Sequence, residues 1–169
     1  AIDGLAAPNP RILIGGLGLG FTLAAALEVV SPESQVVVAE LVPAVHEWNQ
    51  GVLGHLAGHP LDDPRAEVRI GDVCDFIRRP DKPYDAILLD VDNGPDGMTR
   101  SSNGWLYEKE GLRAIKAALN PGGVLGVWAC FEDPKYTRRA ADAGFDVEVV
   151  RTRANGRKGH RHTIWLARR

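Results

Sequence analysis

The sequence has few cysteines and no long apolar run, and each absence excludes a class of protein. Its 169 residues contain two cysteines, Cys74 and Cys130, whose spacing fits neither a disulfide framework nor a zinc motif. No apolar run reaches the roughly 18 residues that a membrane-spanning helix needs. The chain also begins without the basic and apolar segments of a secretory signal. We therefore expect a cytoplasmic protein with no membrane span and no bound metal.

The composition that remains is that of one soluble globular domain. Hydrophobic residues make up 44% of the chain and charged residues 25%. A chain of this length can bury a sizeable core, and no internal repeat or linker divides it. Because it begins at Ala1 rather than at a methionine, we expect it to be a piece of a longer protein.

Acidic residues are missing from the last part of the chain. Residues 151–169 contain seven Arg and Lys residues and no Asp or Glu, whereas residues 1–150 contain 13 basic and 22 acidic residues. A basic segment of this kind is usually a solvated hairpin, but it can also contact phosphate groups. Five of its cations could contact RNA if they formed a continuous basic surface with the ligand site: Arg151, Arg153, Arg157, Lys158 and Arg161.

Apolar segments alternate with helical patterns along the whole chain, which predicts an α/β fold of Rossmann-like type. Such alternation indicates a mostly parallel sheet of about seven strands with helices on both faces and a C-terminal antiparallel hairpin. We predict strands at Arg11–Ile14, Gln35–Ala39, Glu67–Ile70, Ala86–Leu89, Val124–Trp128, Asp146–Arg151 and His162–Ala167. We predict helices at Phe21–Val30, from Pro43 to about His55, at Val73–Arg78, at Leu106–Leu119 and from Asp133 to about Ala143.

Chemistry-bearing residues follow four of these strands. In a parallel sheet the ligand lies beyond the carboxyl ends of the strands, so these residues are expected to face one site. The first strand leads into a bare turn with Gly16, Gly18 and Gly20, whose backbone can approach a ligand closely. Close packing of helix on strand is the alternative reason for these glycines.

Acids follow the next three strands. Glu40 lies 20 residues after Gly20, where a carboxylate can accept from both hydroxyls of a ribose. Asp72 can accept from an adenine amino group while a neighbouring amide donates to a ring nitrogen, or it can simply cap the next helix. Asp90, Asp92 and Asn93 lie in the fourth loop, as catalytic groups or as turn formers. The set predicts an adenosine-bearing ligand, although the second-strand acid alone would also fit a dinucleotide.

The segments that carry these residues resemble the spermidine synthase family, within the class I S-adenosylmethionine-dependent methyltransferase fold. RILIGGLGLGFTL resembles the family's glycine motif, VVVAELVPAVHEWN its ribose-binding segment and RAEVRIGDVCDFI its adenine-binding segment. YDAILLDVDNGP resembles the catalytic loop, and LYEKEGLRAIKAALNPGGVL the helix and strand that follow it. The likeness runs from Arg11 to the last strand.

The resemblance implies a transferase that uses S-adenosylmethionine or its decarboxylated form as co-substrate. It implies aminopropyl transfer to a small amine, with Asp90, Asp92 and Asn93 as catalytic residues. The residues implied in nucleoside binding are Gly16, Gly18, Gly20, Glu40, Leu41, Asp72, Val73 and Asp90. The resemblance implies no metal and is compatible with a homodimer. We expect this single domain to lack the small N-terminal β-domain of these synthases.

The sequence also departs from the family's pattern on the side of the amine. Leu19 stands where the synthases carry an aspartate that would hold the amino group of the decarboxylated co-substrate. Asn93 stands in place of the second aspartate of the catalytic loop, and Asp92 precedes it by one residue. These departures keep two alternatives open. One is a methyltransferase acting on a small molecule or RNA; the other is a non-catalytic nucleoside-binding module, with Leu17, Leu19 or Phe21 plugging its pocket.

A few aromatic and histidine side chains have less specific interpretations. Trp105 and Tyr107 follow the catalytic loop and could wall an acceptor pocket or pack in the core, whereas Trp48 is expected in the core. His55 and His59 have the four-residue spacing of a helical metal site, but Gly58 and Pro60 interrupt a helix there and no third ligand is evident, so we expect no metal site. His160 and His162 alternate along a strand and are expected to face solvent together.

Overall fold

The structure is a computed structural model that describes residues 2–90, 104–155 and 158–169. Those residues form a seven-stranded sheet with the strand order β3-β2-β1-β4-β5-β7-β6. Its strands are β1 (Arg11–Gly15), β2 (Gln35–Glu40), β3 (Ala66–Ile70), β4 (Tyr84–Leu89), β5 (Leu119–Ala129), β6 (Asp146–Asn155) and β7 (Lys158–Arg168). Strands β1 to β5 pair in parallel, and β7 is antiparallel to both β5 and β6. The predicted Rossmann-like fold with its C-terminal hairpin is confirmed.

The helices follow the predicted order with two differences. They are α1 (Phe21–Val29), α2 (Pro43–Gln50), α3 (Val73–Arg78), α4 (Gly104–Tyr107), α5 (Lys109–Ala118) and α6 (Pro134–Asp142). Helix α2 ends at Gln50 rather than near His55, because Gly51 leaves the helical region and a 3-10 turn follows at Gly54–Ala57. The predicted helix from Leu106 to Leu119 is two helices, since Glu108 has an extended backbone. Within the described residues, no helix has the length and apolar character to cross a membrane.

Apolar side chains of the sheet alternate between two cores. Leu13 and Val37 face a core with α3, α5 and α6, whereas Ile12 and Val36 face a core with α1. All five residues of β1 are buried, as expected for a central parallel strand covered on both faces. Helices on both faces therefore leave the edges of the sheet as the places where a ligand can approach the strand ends.

The carboxyl ends of strands β1 to β5, the end of β6 and the start of β7 lie at the same edge of the sheet. Ala129, the last residue of β5, pairs with Thr163 of β7, and Thr163 pairs with Arg151 of β6. Because β6 continues beyond Arg151 to Asn155, the basic strands extend past the edge where the nucleoside site was predicted. The fold thus brings the basic segment to the side of the predicted site.

Candidate functional site

The turn after β1 requires glycine at several positions, and the surroundings of these glycines differ. Gly16, Gly18 and Gly20 have φ angles of 88°, 52° and 83°, a region that residues with a β-carbon rarely adopt. A β-carbon on Gly18 would meet no atom within 4 Å, so this glycine faces open space. A β-carbon on Gly20 would lie 3.1 Å from Cγ of Pro60, so this glycine is packed closely. Gly18 therefore marks the open face of the turn and Gly20 its packed face.

Asn49 of α2 holds this turn in place. Its Nδ2 donates to the carbonyl oxygen of Gly18 at 2.9 Å and to that of Val45 at 2.8 Å. The side chain is 1% exposed, so the amide bonds the turn from inside the protein. Sequence reasoning did not identify Asn49; the only signal is a polar residue four positions after the inward-facing Val45.

Glu40 is buried and binds the backbone on both sides of the site. Its Oε2 accepts from the amide of Leu17 and its Oε1 accepts from the amide of Val42, each at 2.8 Å. With 7% of its surface exposed, Glu40 is a buried carboxylate rather than a solvated surface acid. Each carboxylate oxygen has a second lone pair, so the arrangement also allows hydroxyl groups to donate to it.

Asp72 caps helix α3 with one of its two oxygens. Its Oδ1 accepts from the amide of Cys74 at 2.8 Å, which is the capping role that the sequence allowed. This capping bond uses Oδ1 alone, and the side chain of Asp72 is half-buried rather than fully buried. Capping and ligand binding are therefore compatible. Val73, the first residue of α3, is buried, and Leu41 beyond β2 is exposed.

Burial makes Cys74 an unreactive thiol. Desolvation and then the hydrogen bond to Asp72 raise the pKa of Cys74 to about 12. A nucleophilic cysteine needs a lowered pKa, so this side chain, 2% exposed, is a packing residue. Cys74 is therefore not a candidate nucleophile, and the carboxylates at this edge of the sheet remain the candidate reactive groups.

Asp90 is exposed at the end of β4 and is oriented by a residue of α1. Oγ1 of Thr22 donates to Oδ2 of Asp90 at 2.9 Å, and the amide of Asp90 donates to the carbonyl of Gly15 at 3.1 Å. The carboxylate thus lies beside the first turn of α1, where the helix dipole favours negative charge. The predicted catalytic residues Asp92 and Asn93 lie outside the described residues.

The structure separates the apolar residues around the glycine turn. Leu17 is buried in the core beside α1, whereas Leu19 and Phe21 are 45% and 56% exposed. A pocket plug would be buried in the pocket, so the exposure of Leu19 and Phe21 gives no support to the plugged, non-catalytic alternative. The exposed side chain of Leu19 is apolar and cannot form an ion pair with an ammonium group.

Three aromatic expectations have different outcomes. Tyr107 is buried and packs edge-on against Tyr136 at 5.9 Å, so it belongs to the core rather than to an acceptor wall. The guanidinium of Arg78 stacks over Trp105 at 4.0 Å. The expectation that Trp48 is a core residue is wrong: it is 52% exposed, because the neighbouring Asn49 takes the inward position on α2.

The histidine pairs do not form a metal centre in the described part of the chain. No group of three or more potential metal ligands occurs among those residues. His55 and His59 are exposed on the irregular segment after α2. His160 is exposed as predicted, but His162 is half-buried and its ring lies 5.0 Å from that of Trp128.

Comparisons with known proteins relate the chain to polyamine aminopropyltransferases. A family model described as "Spermine/spermidine synthase domain" matches residues 4–143. Polyamine aminopropyltransferase 2 of Pseudomonas aeruginosa is 33% identical over 135 residues, with 73% of this chain and 34% of the relative covered. Polyamine aminopropyltransferase of Aeropyrum pernix is 34% identical over 125 residues, with 69% and 36% covered. The chain spans about a third of the length of the curated relatives it matches.

Solved structures give the same fold. A spermidine synthase in complex with the transition-state analogue AdoDATO has a TM-score of 0.71 and 25% identity, with 95% of this chain and 54% of that chain covered. TrmN from Thermus thermophilus has a TM-score of 0.70 and 20% identity, with 97% and 45% covered. At that identity the likeness to TrmN concerns the fold alone.

Proposed function

Because the chain belongs to the spermine/spermidine synthase family, we propose that it is the nucleoside-binding and catalytic domain of an aminopropyltransferase. The resemblance to the spermidine synthase family that the sequence motifs indicated is therefore confirmed. We propose decarboxylated S-adenosylmethionine as the donor and a small amine as the acceptor. The observation that carries this proposal is that Glu40 ends β2, while Asp72 and Asp90 follow β3 and β4 at the same edge of the parallel sheet.

In this proposal the nucleoside lies across the ends of β1, β2 and β3. Gly18 leaves space for the sulfonium side of the donor, and Glu40 accepts from the ribose hydroxyls. Oδ2 of Asp72 accepts from the adenine amino group, and the amide of Val73 donates to a ring nitrogen. We propose that Gly16, Gly20 and Leu41 also contribute to the nucleoside site.

The proposed reaction is an in-line displacement at the carbon beside the sulfonium sulfur. The amine nitrogen forms a bond to that carbon, the carbon–sulfur bond breaks, and its electron pair leaves with sulfur as a neutral thioether. The proton lost by the amine goes to Asp90, directly or through a water molecule. Thr22 holds that carboxylate, and positioning of the two reactants supplies much of the rate. Asp92 and Asn93 are proposed to hold the acceptor amine.

Methyl transfer from intact S-adenosylmethionine is a second candidate, and the exposed Leu19 favours it. The side chain cannot pair with the amino group of the decarboxylated donor, whereas backbone groups can bind a methionine moiety. In that reaction the acceptor's nucleophile attacks the methyl carbon, the bond between this carbon and the sulfonium sulfur breaks, and the sulfur leaves as part of a neutral thioether. The glycine turn, Glu40 and Asp72 would have the same roles in both reactions.

Calorimetric titration of the 169-residue chain with each donor tests the proposal. Tighter binding of decarboxylated S-adenosylmethionine, with release of methylthioadenosine when an amine is added, is the expected result. Tighter binding of the intact form would support methyl transfer instead. Binding of neither donor to a sample that unfolds cooperatively would contradict the nucleoside site.

A further inference from the structure

Two arginines lie directly opposite each other on the β6–β7 hairpin. Arg153 of β6 pairs in register with Arg161 of β7, and both residues are exposed. Side chains that pair in this way across antiparallel strands point to the same face of the sheet, with Cβ atoms about 4.5–5.5 Å apart. Two guanidinium groups at this separation repel each other, so the pair destabilises the hairpin unless an anion lies between them.

The face of the sheet that carries this pair also carries a third arginine. Trp165 packs edge-on against Tyr136 of α6 with ring centroids 5.0 Å apart, so the side chain of Trp165 points to the α6 face. Arg161 lies four residues before Trp165 on the same strand and therefore points to that face as well. Arg151 lies two residues before Arg153 on β6 and points there too. We call these three arginines the basic row.

Two members of the basic row have no carboxylate partner. Arg151 forms a two-pronged ion pair with Glu132, at 2.7 and 2.8 Å, so its charge is compensated. Nη1 of Arg153 donates to a backbone carbonyl of the hairpin at 3.3 Å. In the parts of the chain that the structure describes, neither Arg153 nor Arg161 forms an ion pair. Residues 151–169 contain no acidic residue that could neutralise them, so both positive charges are uncompensated.

Protection of a sheet edge explains only part of this charge. Strand β6 is the outermost strand of the sheet, and charged side chains on an outermost strand hinder its pairing with another protein. An acid opposite Arg153 would protect the edge equally and would stabilise the hairpin through an ion pair. Two cations opposite each other instead favour the binding of an anion, because the anion removes their repulsion.

An exposed aromatic side chain lies beside the basic row. Phe131, two residues after β5, is 74% exposed. Together with Arg151 and Arg161, it lines a cleft of about 550 Å³. Single-stranded nucleic acids bind where cations contact their phosphates and aromatic rings stack on their bases. The basic row and Phe131 supply both kinds of contact at one place on the surface.

The shape and charge of the protein favour a nucleic-acid strand over a membrane. The pairing of β5 with β7 ends at Ala129 opposite Thr163, and the hairpin continues beyond it, so the hairpin projects from the sheet. Residues 1–150 contain 13 basic and 22 acidic residues, and their net negative charge opposes contact with a flat anionic surface. A single strand can contact the projecting hairpin alone.

We propose that the β6–β7 hairpin binds the phosphodiester backbone of a single-stranded nucleic acid. A phosphate lies between Arg153 and Arg161, where it accepts charge-assisted hydrogen bonds from both guanidinium groups, and a base stacks on Phe131. This surface is distinct from the proposed nucleoside site, and binding requires neither the donor nor the transfer reaction. Failure of the proposed transfer reaction would therefore leave this binding unaffected.

Titration of the 169-residue chain into a fluorescein-labelled oligouridine of about 12 nucleotides, without donor, tests the hairpin by fluorescence anisotropy. We expect a dissociation constant in the range of roughly 10⁻⁶–10⁻⁴ M that non-specific nucleic-acid binding typically has. The double variant Arg153→Gln with Arg161→Gln should bind about tenfold more weakly. Its slope of log K against log salt concentration should be less steep by about 0.7 for each arginine, because each phosphate contact on a single strand contributes that amount.

The double variant Arg79→Gln with Arg113→Gln is the charge-matched control. Both arginines are exposed, and they lie directly after α3 and on α5 rather than on the hairpin, so affinity and slope should be nearly unchanged. Phe131→Ala should weaken binding about fivefold without changing the slope, since stacking on a ring releases no counterion from phosphate. Thermal unfolding checks that each variant is folded; without the like-charge repulsion, the hairpin variant should be at least as stable as the parent.

A thymidine oligonucleotide of the same length separates the two sources of a phosphodiester backbone. Tighter binding of one oligonucleotide identifies RNA or DNA as the partner, and equal binding shows that the backbone alone is recognised. Equal weakening by the hairpin and control variants would overturn the proposal, because it would attribute binding to overall charge. Absence of binding to both oligonucleotides at low salt, or binding to phosphatidylserine vesicles without binding to either oligonucleotide, would overturn it as well.

Discussion

Thr22 and Asp90 form a hydrogen bond of 2.9 Å between the first turn of α1 and the end of β4. The two residues are 68 positions apart in the chain, and the contact joins the glycine turn to the proposed catalytic carboxylate. It fixes one oxygen of Asp90, and none of the residues that the structure describes donates a hydrogen bond to the other. A carboxylate on an exposed strand end would otherwise sample several rotamers.

Thr22→Val should therefore lower turnover without changing donor affinity. Removing the hydroxyl frees the Asp90 side chain, and we expect the rate of methylthioadenosine release to fall by about tenfold to a hundredfold. Thr22→Ser keeps the hydroxyl and should recover most of the rate. Rates under saturating substrates measure the effect; an unchanged rate in Thr22→Val would show that Thr22 does not position the base.

Glu40→Gln should lower both stability and nucleoside affinity. Glutamine has a single carbonyl oxygen, so it cannot accept from the amides of Leu17 and Val42 through two separate oxygens as Glu40 does. The amide of Leu17, which is buried, or that of Val42, which is more exposed, then faces an NH2 group instead of an acceptor. This costs about 1–3 kcal/mol in the free energy of unfolding. Urea unfolding and calorimetry check the two effects, with Glu28→Gln on the exposed face of α1 as the control.

Alanine at two glycines should separate ligand binding from packing. Gly18→Ala places a methyl group in open space and meets only the unfavourable φ, a cost of about 1 kcal/mol, but it obstructs the donor. Gly20→Ala meets the same backbone penalty and also contacts Pro60 and Asn49. We expect Gly20→Ala to unfold at the lower denaturant concentration, and Gly18→Ala to lose more donor affinity than stability.

The raised pKa of Cys74 predicts a stability loss in alkali. Desolvation raises its pKa from 9.0 to about 12 in the folded state, so above about pH 9 the unfolded thiol ionises while the folded thiol does not. Stability is thus complete below pH 9 and falls as the pH rises, by up to about 1.4 kcal/mol per pH unit. Cys74→Ala removes this contribution. Urea unfolding from pH 8 to pH 10.5 should show a smaller slope in the variant than in the parent.

Much of the fold follows from local sequence pattern. The continuous apolar residues of β2 and β4 have no polar face, which is what a strand buried on both sides requires. The positions of Glu40 and Asp72 follow as well, because parallel strands end at the same edge of the sheet. Strand ends can be located from the sequence, so residues directly after them can be assigned to one site.

Contacts between distant residues could not be read in this way. Asn49 reaches Gly18 across 31 positions, and no local pattern distinguishes its amide from that of a solvent-exposed asparagine. His162 was expected to face solvent, but a neighbouring strand supplies Trp128 as a stacking partner. Such partners depend on how elements pack, and short motifs do not record that packing.

Two substitutions of Asp72 should separate its capping role from its proposed role in binding adenine. Asp72→Asn keeps an oxygen that can accept from the amide of Cys74, so the N-cap of α3 and the melting temperature should be nearly unchanged. Its amide group donates toward the adenine amino group instead of accepting from it, so we expect donor affinity to fall about tenfold.

Asp72→Ala removes both functions and should also destabilise the protein by about 1 kcal/mol. Thermal unfolding and calorimetry on the three proteins give the comparison. Equal donor affinity in the parent and Asp72→Asn would limit Asp72 to capping, because the asparagine differs from it only at the oxygen that faces the proposed ligand. A loss of affinity without a loss of stability in Asp72→Asn would instead place that oxygen in contact with the nucleoside.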